Sequence, residues 1–350
     1  PPQLNPYPLP TSPVPRVPSE SEIIPSLVHK QVSDLYRAPA HLKPFRDSKG
    51  EYVQPAAKAI LKAIKPDVKM SPEDKALYME CMQVAFEEQI LPPAVPVCAL
   101  KLEDALNVPP GYHLVSPIYI DTSAGYHSDQ DYSGFTRTGS DKRDFITVDQ
   151  NGHRSPTPLL LKLVRRLLDI ALGKIPRGDY QTYVVDWLKD ELRTLDRVEA
   201  GKTRLFSGMQ VEFLALSRAL FLDMIESELA NHNNPNSTSA YGLNPESCEW
   251  LDFKNQLCPK DDPAAIAHVV AEDISAQDAS TSSDMSDCLN KVENAYYRKY
   301  ESDEVVEIIP GYFLTKEERL QVRQWLNEEI YFNRVHIFFG ECYRPGHGNP

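Results

Sequence analysis

The sequence predicts an α+β fold. Three observations carry this: capped amphipathic stretches recur along the chain, a few apolar runs of strand length lie between them, and no segment repeats. Ser71-Pro72-Glu73-Asp74 opens the first clear helix, with a capping hydroxyl, proline at the first helical position and acids in the first turn. Its Leu77, Met79, Cys81, Met82, Val84 and Ala85 are expected to face a core. Thr157-Pro158 starts a second helix, in which Leu160, Leu163, Val164, Leu167, Leu168 and Ala171 recur at helical spacing before Gly173 ends it. Arg165 and Arg166 lie off that stripe. A third helix, Val211 to Leu229, is rich in Leu, Phe, Met and Ala and is expected to be mostly buried. Ser280 to Asp284 supply cap residues for a helical segment from Asp287 to Tyr300, and Thr315 with Glu318 forms a capping box for the last helix. Ala267 to Ile274 and Val335 to Phe339 read as short buried strands, the second ending at Gly340.

Composition bounds the class. A chain of 350 residues with 41% hydrophobic content can bury a large core, as one complex domain or as two to three subdomains. No run of about 18 apolar residues occurs, and the start is Pro-rich rather than basic then apolar, so neither a membrane span nor a secretory signal is expected. A soluble intracellular protein follows. Cys81, Cys98, Cys248, Cys258, Cys288 and Cys342 are scattered, without a C-x-x-C pair or histidines at zinc spacing, so reduced thiols are expected and a structural zinc is not. Asn236-Ser-Thr beside Pro235 reads as turn chemistry rather than a used sequon. Residues 1–20 form a Pro-rich linker, with eight prolines in the first 18 positions. The Pro1-Pro2 start and the finish at Gly346-His-Gly348-Asn349-Pro350 both look cut, as in a polyprotein product or an incomplete reading frame.

Charge is unevenly placed. The chain carries 37 Lys+Arg against 50 Asp+Glu, yet residues 162–204 hold ten Lys/Arg and seven Asp/Glu. Lys189, Arg193, Arg197, Lys202 and Arg204 crowd one loop-like segment of this stretch, which suits a triphosphate or a nucleic-acid backbone; a solvated helix face with paired charges is the plainer reading. Gly201-Lys202-Thr203 is not a phosphate-cradling P-loop, because Asp196 stands where that pattern needs its first glycine. The cations must act through side chains.

Asp273 ends an apolar run and Asp278 follows five residues later. Carboxylates at a strand end suit Mg²⁺, a hard cation that prefers oxygen ligands. Along a continuing strand the two would lie on opposite faces roughly 16 Å apart, so they share a site only if the chain turns between them. Solvent-facing or capping roles are the plainer reading of such a pair.

Taken in order, these segments resemble the RNA-dependent RNA polymerases of picorna-like positive-strand RNA viruses. Asp121-Thr122-Ser123-Ala124-Gly125-Tyr126, then Gly139-Ser-Asp-Lys142-Arg143-Asp144, resembles motif G, which admits the template, and the basic stretch after it. Lys189-Asp-Glu-Leu-Arg193 and Gly201-Lys-Thr-Arg204 resemble motif F of the fingers, and Tyr241-Gly-Leu-Asn-Pro245 with Glu249-Trp250 resembles the connector before the palm. Asp273 to Ser280 resembles palm motif A, and the last five residues resemble the opening of motif B. Ser21-Glu-Ile-Ile-Pro25-Ser26 and Pro39-Ala-His-Leu42 resemble the family's N-terminal region, so the likeness runs from about residue 20 to the end.

The resemblance implies a right-hand polymerase fold with fingers over residues 21–208, a partial palm with a fingers insertion over 209–350, and no thumb. It implies that Asp273 binds catalytic Mg²⁺, with Mn²⁺ as a substitute, and that Asp278 senses the ribose 2′-hydroxyl. Lys189, Arg193, Arg197, Lys202 and Arg204 would hold the nucleoside triphosphate, Lys189 and Arg204 serving the chemistry itself. Thr122, Ser123, Gly125, Lys142 and Arg143 would meet the RNA template. The partners implied are RNA template and primer, nucleoside triphosphates, a viral protein primer and other replication proteins, in the host cytoplasm at membrane-associated replication complexes. His127 departs from the proline common in relatives, and Glu272 adds charge beside the metal position. Motif C with its Gly-Asp-Asp is absent from the chain, so the 350 residues alone are expected not to extend a primer; a non-catalytic RNA-binding remnant is the alternative, and an unrelated Mg²⁺-dependent hydrolase a weaker one.

Overall fold

The computed structural model describes residues 20–24, 37–63, 67–137, 141–178, 180–231, 248, 251, 253, 255, 281–338 and 341–343. The helices among them are α1 (Pro55–Ala63), α2 (Pro72–Ile90), α3 (Leu102–Leu106), α4 (Pro158–Ala171), α5 (Leu195–Glu199), α6 (Val211–Ala230), α7 (Ser283–Tyr300) and α8 (Lys316–Glu328). The strands are β1 (Arg37–Pro39), β2 (Phe45–Arg46), β3 (Tyr52–Val53), β4 (Ile146–Val148), β5 (Arg154–Pro156), β6 (Tyr183–Leu188), β7 (Leu192–Thr194), β8 (Leu205–Met209), β9 (Val306–Ile309), β10 (Tyr312–Leu314), β11 (Val335–Phe338) and β12 (Glu341–Tyr343). Helices and short strands mix as the α+β expectation requires. The Pro-rich linker, the Asn236 sequon, the Tyr241–Pro245 and Glu249-Trp250 connector, the expected strand at Ala267–Ile274 with Asp273 and Asp278, and Gly346–Pro350 all lie outside the described residues.

Local chemistry sets the helix starts. The Ser71 hydroxyl accepts from the Asp74 amide at 3.0 Å, and Thr315 and Glu318 complete their reciprocal capping box. Helix α7 is capped by Ser282 and begins at Ser283, four residues earlier than the expected Asp287. Helix α4 buries Leu159, Leu160, Leu163, Val164, Leu167, Leu168, Ile170 and Ala171, a contribution of about 1.5–3 kcal/mol for each large side chain. It packs with α6 and α8 in the main core.

Helix α2 corrects an expectation. Leu77, Cys81 and Val84 are exposed, whereas Met79 and Met82 are partly buried and Phe86 and Ile90 fully so. The residues at 79, 82, 86 and 90 keep the helical period and form one stripe against α7 and α6, with the Phe86 and Tyr296 rings edge to face at 5.7 Å. Leu77, Cys81 and Val84 sit round the back of that stripe.

A four-stranded sheet of order β12-β11-β6-β8 adjoins the helices. β6 pairs in parallel with β11, Val335 opposite Tyr183, and antiparallel with β8, Leu188 opposite Leu205. Residues 184–188 are all buried, including Asp186, whose carboxylate meets His336 Nδ1 at 2.9 Å. Gly208 leaves room for Trp187: a Cβ there would stand 2.5 Å from the indole ring. The expected strand at residues 335–339 is present as β11, ending at Phe338.

Under the helices lies a buried ionic cluster. Glu301 is shared by Arg319 Nε at 2.9 Å and Arg323 Nη1 at 2.7 Å, all three inaccessible to solvent. Four further guanidinium N–H groups donate to the carbonyls of Leu220, Ser302, Glu304 and Leu314, so the charges are both paired and hydrogen-bonded.

Candidate functional site

The cationic segment is more ordered than a loop. The Lys189 amide donates to the Arg204 carbonyl at 2.8 Å, extending the β6–β8 ladder by one step, so residues at the two ends of the segment become neighbours. Between them the chain forms β7, the short α5 and a left-handed turn at Gly201, φ +62°. Glycine is required there twice over: a Cβ would meet Val53 Cγ1 at 2.5 Å, and positive φ strains any side chain.

Glu191 organises the cations. Its carboxylate takes Arg204 Nε at 2.7 Å, Arg193 Nη1 at 3.3 Å and Lys189 Nζ at 3.6 Å. The hydrogen bond from Arg204, outweighing the cost of partial burial, holds the Glu191 carboxyl below the usual glutamate value. Three like charges are thereby kept together without mutual repulsion splaying them. Lys189 and Arg204 remain about half exposed, at 47% and 56% of their side-chain surface, and can reach a ligand; Arg193 is 15% exposed, and its Nε is buried with no hydrogen-bond partner among the described residues. Arg197 and Lys202 are exposed on the α5 turn and form no ion pair among those residues. Sequence reasoning gave Glu191 no role; its signal was an acid set among five bases.

The N-terminal segments brace this ribbon. β1 pairs antiparallel with β7, Ala38 opposite Arg193, and Ala40 N donates to Glu191 O at 2.9 Å. Ser21 Oγ and the Glu22 amide both donate to the Asp190 carboxylate, at 2.6 and 2.7 Å. Lys58 Nζ reaches Ala200 O, and the Thr203 hydroxyl donates to His41 O at 2.8 Å. Thus Thr203 is a buried anchor, not a phosphate ligand on the surface.

A second group lies at the far end of β8. Gly125, at φ +83°, runs against the β8–α6 junction so closely that a Cβ would meet the Met209 carbonyl at 2.7 Å; Val211 N donates to Ala124 O. Gly125 is buried, so what it offers a template is the shape of the turn rather than a contact. Ser123 bridges Asp141, and its hydroxyl accepts from the Gly125 amide. Lys142 is also buried, against the expectation of a surface cation: its ammonium donates to Thr122 Oγ1 at 2.6 Å and Tyr119 O at 3.1 Å. Burial, with help from the nearby Arg218 charge, draws its pKa below the usual lysine value. Thr122 and Arg143 are exposed, and Arg143 pairs with Asp121 and with Asp141. His127 is enclosed against Glu212 at 2.7 Å; burial pulls the imidazole down, and the carboxylate more than offsets it, leaving the pKa raised. From Arg204 to Met209 the strand spans roughly 17 Å, which is the distance along β8 between the two groups.

No three His, Cys, Asp or Glu side chains converge as a metal site among the described residues. The expected magnesium ligand Asp273 and the ribose-sensing Asp278 lie outside them. Among the described residues Cys81, Cys98, Cys248 and Cys288 are free thiols, and no described helix is long and apolar enough to cross a membrane.

Comparison with known proteins bears on most of the chain. Residues 29–327 match the family model described as viral RNA-dependent RNA polymerase. The genome polyprotein of Human parechovirus 2 (strain Williamson) is 29% identical over 146 residues, which is 41% of this chain and 6% of that polyprotein. The solved Sicinivirus 3Dpol RNA dependent RNA polymerase superposes with a TM-score of 0.66 at 22% identity, over 97% of this chain and 61% of that one. That superposition gives the fold: a right-hand-polymerase-like arrangement of mixed helix and sheet.

Proposed function

The chain belongs to the viral RNA-dependent RNA polymerases, and from that premise we propose that it supplies the triphosphate- and template-binding side of templated nucleotidyl transfer from a nucleoside triphosphate to an RNA 3′ end. The chain spans 61% of the length of the similar solved polymerase, so the transfer is assigned to the full-length protein. The observation that carries the reading is the clustering of Lys189, Arg193 and Arg204 on Glu191, with Arg197 and Lys202 on the adjoining turn. Preorganised cations of this kind neutralise a triphosphate and the charge that grows on it during transfer, each worth about 3 kcal/mol of barrier.

In this reading Lys189 and Arg204 face the reacting phosphates, and Arg193, Arg197 and Lys202 hold the rest of the triphosphate. Thr122 and Arg143 meet the template backbone, with Ser123, Gly125 and Lys142 shaping the turn beneath them. Residues 21–208 serve as fingers and 209–350 as part of the palm. Asp273 is the proposed carrier of magnesium, the ion that would supply charge neutralisation at the phosphates, and Asp278 the ribose sensor. The proposed setting is a replication complex in the host cytoplasm.

The test is Asp273→Asn in the full-length protein, scored by nucleotide incorporation on a primed template and by RNA binding. Loss of incorporation with binding intact supports the reading. Undiminished incorporation overturns the role of Asp273. RNA binding with no incorporation by the unsubstituted full-length protein would identify a non-catalytic remnant.

A further inference from the structure

Tyr119 is 71% exposed, yet its backbone carbonyl accepts two side-chain hydrogen bonds. Within four residues, three basic side chains donate to main-chain carbonyls: Arg218 Nη2 to Ser116 O at 2.8 Å, Arg154 Nε to Ile118 O at 2.8 Å, and Lys142 Nζ to Tyr119 O at 3.1 Å. Thr122 Oγ1 donates to the same Tyr119 carbonyl, and the Ile118 amide is tied to Leu106 O at 3.0 Å. Three basic head groups thus act as struts for a surface turn. Their use here fixes the root of an aromatic ring that contributes little to the core.

Basic side chains gather at the root of the ring. Lys142, Arg143, Arg154 and Arg218 surround the turn, against Asp121 and Asp141, both of which pair with Arg143. Burial, with a neighbouring arginine charge in each case, draws the Lys142 and Arg218 pKa values down. An exposed aromatic face on a held backbone beside basic side chains is what single-stranded nucleic acid uses: bases stack on the ring and phosphates follow the cations.

We propose that Tyr119 is a stacking platform for an unpaired base of single-stranded RNA, placed next to the Thr122–Arg143 turn that meets the strand's phosphates. This rests on the reading that the face carries the template. Stacking on an aromatic ring tolerates any base, as a strand of arbitrary sequence requires. Fixing the backbone beforehand lowers the ordering cost of binding.

The experiment measures binding of a 12-nucleotide RNA, and of the same strand made fully abasic, by fluorescence anisotropy across a salt series, using the 350-residue chain. Tyr119→Ala is expected to weaken the base-bearing RNA about fivefold or more, to leave the abasic strand unchanged, and to preserve the salt slope. Tyr119→Phe is expected to bind like the parent. Arg143→Ala is expected to weaken both strands and to reduce the slope by about one. Parent-like binding by Tyr119→Ala, with Arg143→Ala weakened, overturns the stacking role and leaves the template reading standing. Equal loss on both strands in Tyr119→Ala also overturns it. If the parent chain binds neither strand, the template reading itself fails.

Discussion

Glu191 shows how one acid decides what several bases can do. Lys189, Arg193 and Arg204 would repel one another in an empty site, and the shared carboxylate holds them in a common orientation before any ligand arrives. Replacing it with alanine is therefore expected to damage function through disorder rather than through charge, since the net positive charge of the segment rises. Glu191→Ala should lower nucleotide incorporation by the full-length protein about tenfold and speed hydrogen exchange at residues 189–204, measured by mass spectrometry. The pH dependence has a definite sign: the folded-state pKa lies below the ordinary glutamate value, so the stabilisation is complete above that ordinary value and lost as pH falls through the folded one. Exchange at residues 189–204 should therefore be flat from neutrality down to about pH 5, after correction for the intrinsic rate, and accelerate only in stronger acid. The five cations were legible in the sequence because local density of charge needs no three-dimensional information. Which of them are exposed was not legible, because burial of Arg193 and Lys142 depends on chain segments far away in sequence.

Short elements position the site, and each is fixed by a different kind of contact. The α5 turn ends on Gly201, whose positive φ and tight approach to Val53 exclude any side chain. Gly201→Ala is expected to cost about 1–3 kcal/mol locally, seen as weaker RNA and triphosphate binding with little change in the global melting temperature. Equal affinity for the parent and this variant in isothermal titration would remove the turn from the site. Helix α2 teaches the reverse lesson about reading elements from sequence. Its start was legible, because Ser71, Pro72 and Asp74 act within one turn. Its buried face was not, because apolar residues occur all round it, and only the position of α7 and α6 selects Met79, Met82, Phe86 and Ile90. Phe86→Ala should accordingly destabilise by about 3–5 kcal/mol in chemical denaturation, while Val84→Ser stays within about 0.5 kcal/mol.

At the scale of the molecule, the helical body that supports the sheet is itself organised around buried charge. Asp223 lies in α6 and accepts from Tyr297 Oη of α7 at 3.0 Å, beside the Glu301–Arg319–Arg323 cluster that ties α7 to α8. Nothing in the sequence marks these residues, since each meets its partner only after three helices have packed. Burial pushes the Asp223 carboxyl up to about 7, with the Arg323 charge and the Tyr297 hydrogen bond pulling the other way. Because the folded state holds this proton more tightly than the unfolded chain does, stability contributed here is full below the unfolded value near 4 and is lost as pH rises through the folded one. The expected loss between pH 4 and pH 8 is on the order of 3 kcal/mol. Asp223→Asn keeps the shape and can still accept from Tyr297, but it cannot ionise. Its stability relative to the parent should rise steadily from pH 4 to pH 8 in urea denaturation. A stability difference between the two proteins that stays constant across that range would mean that Asp223 is ionised in the fold and that the Arg323 charge, rather than burial, sets its state.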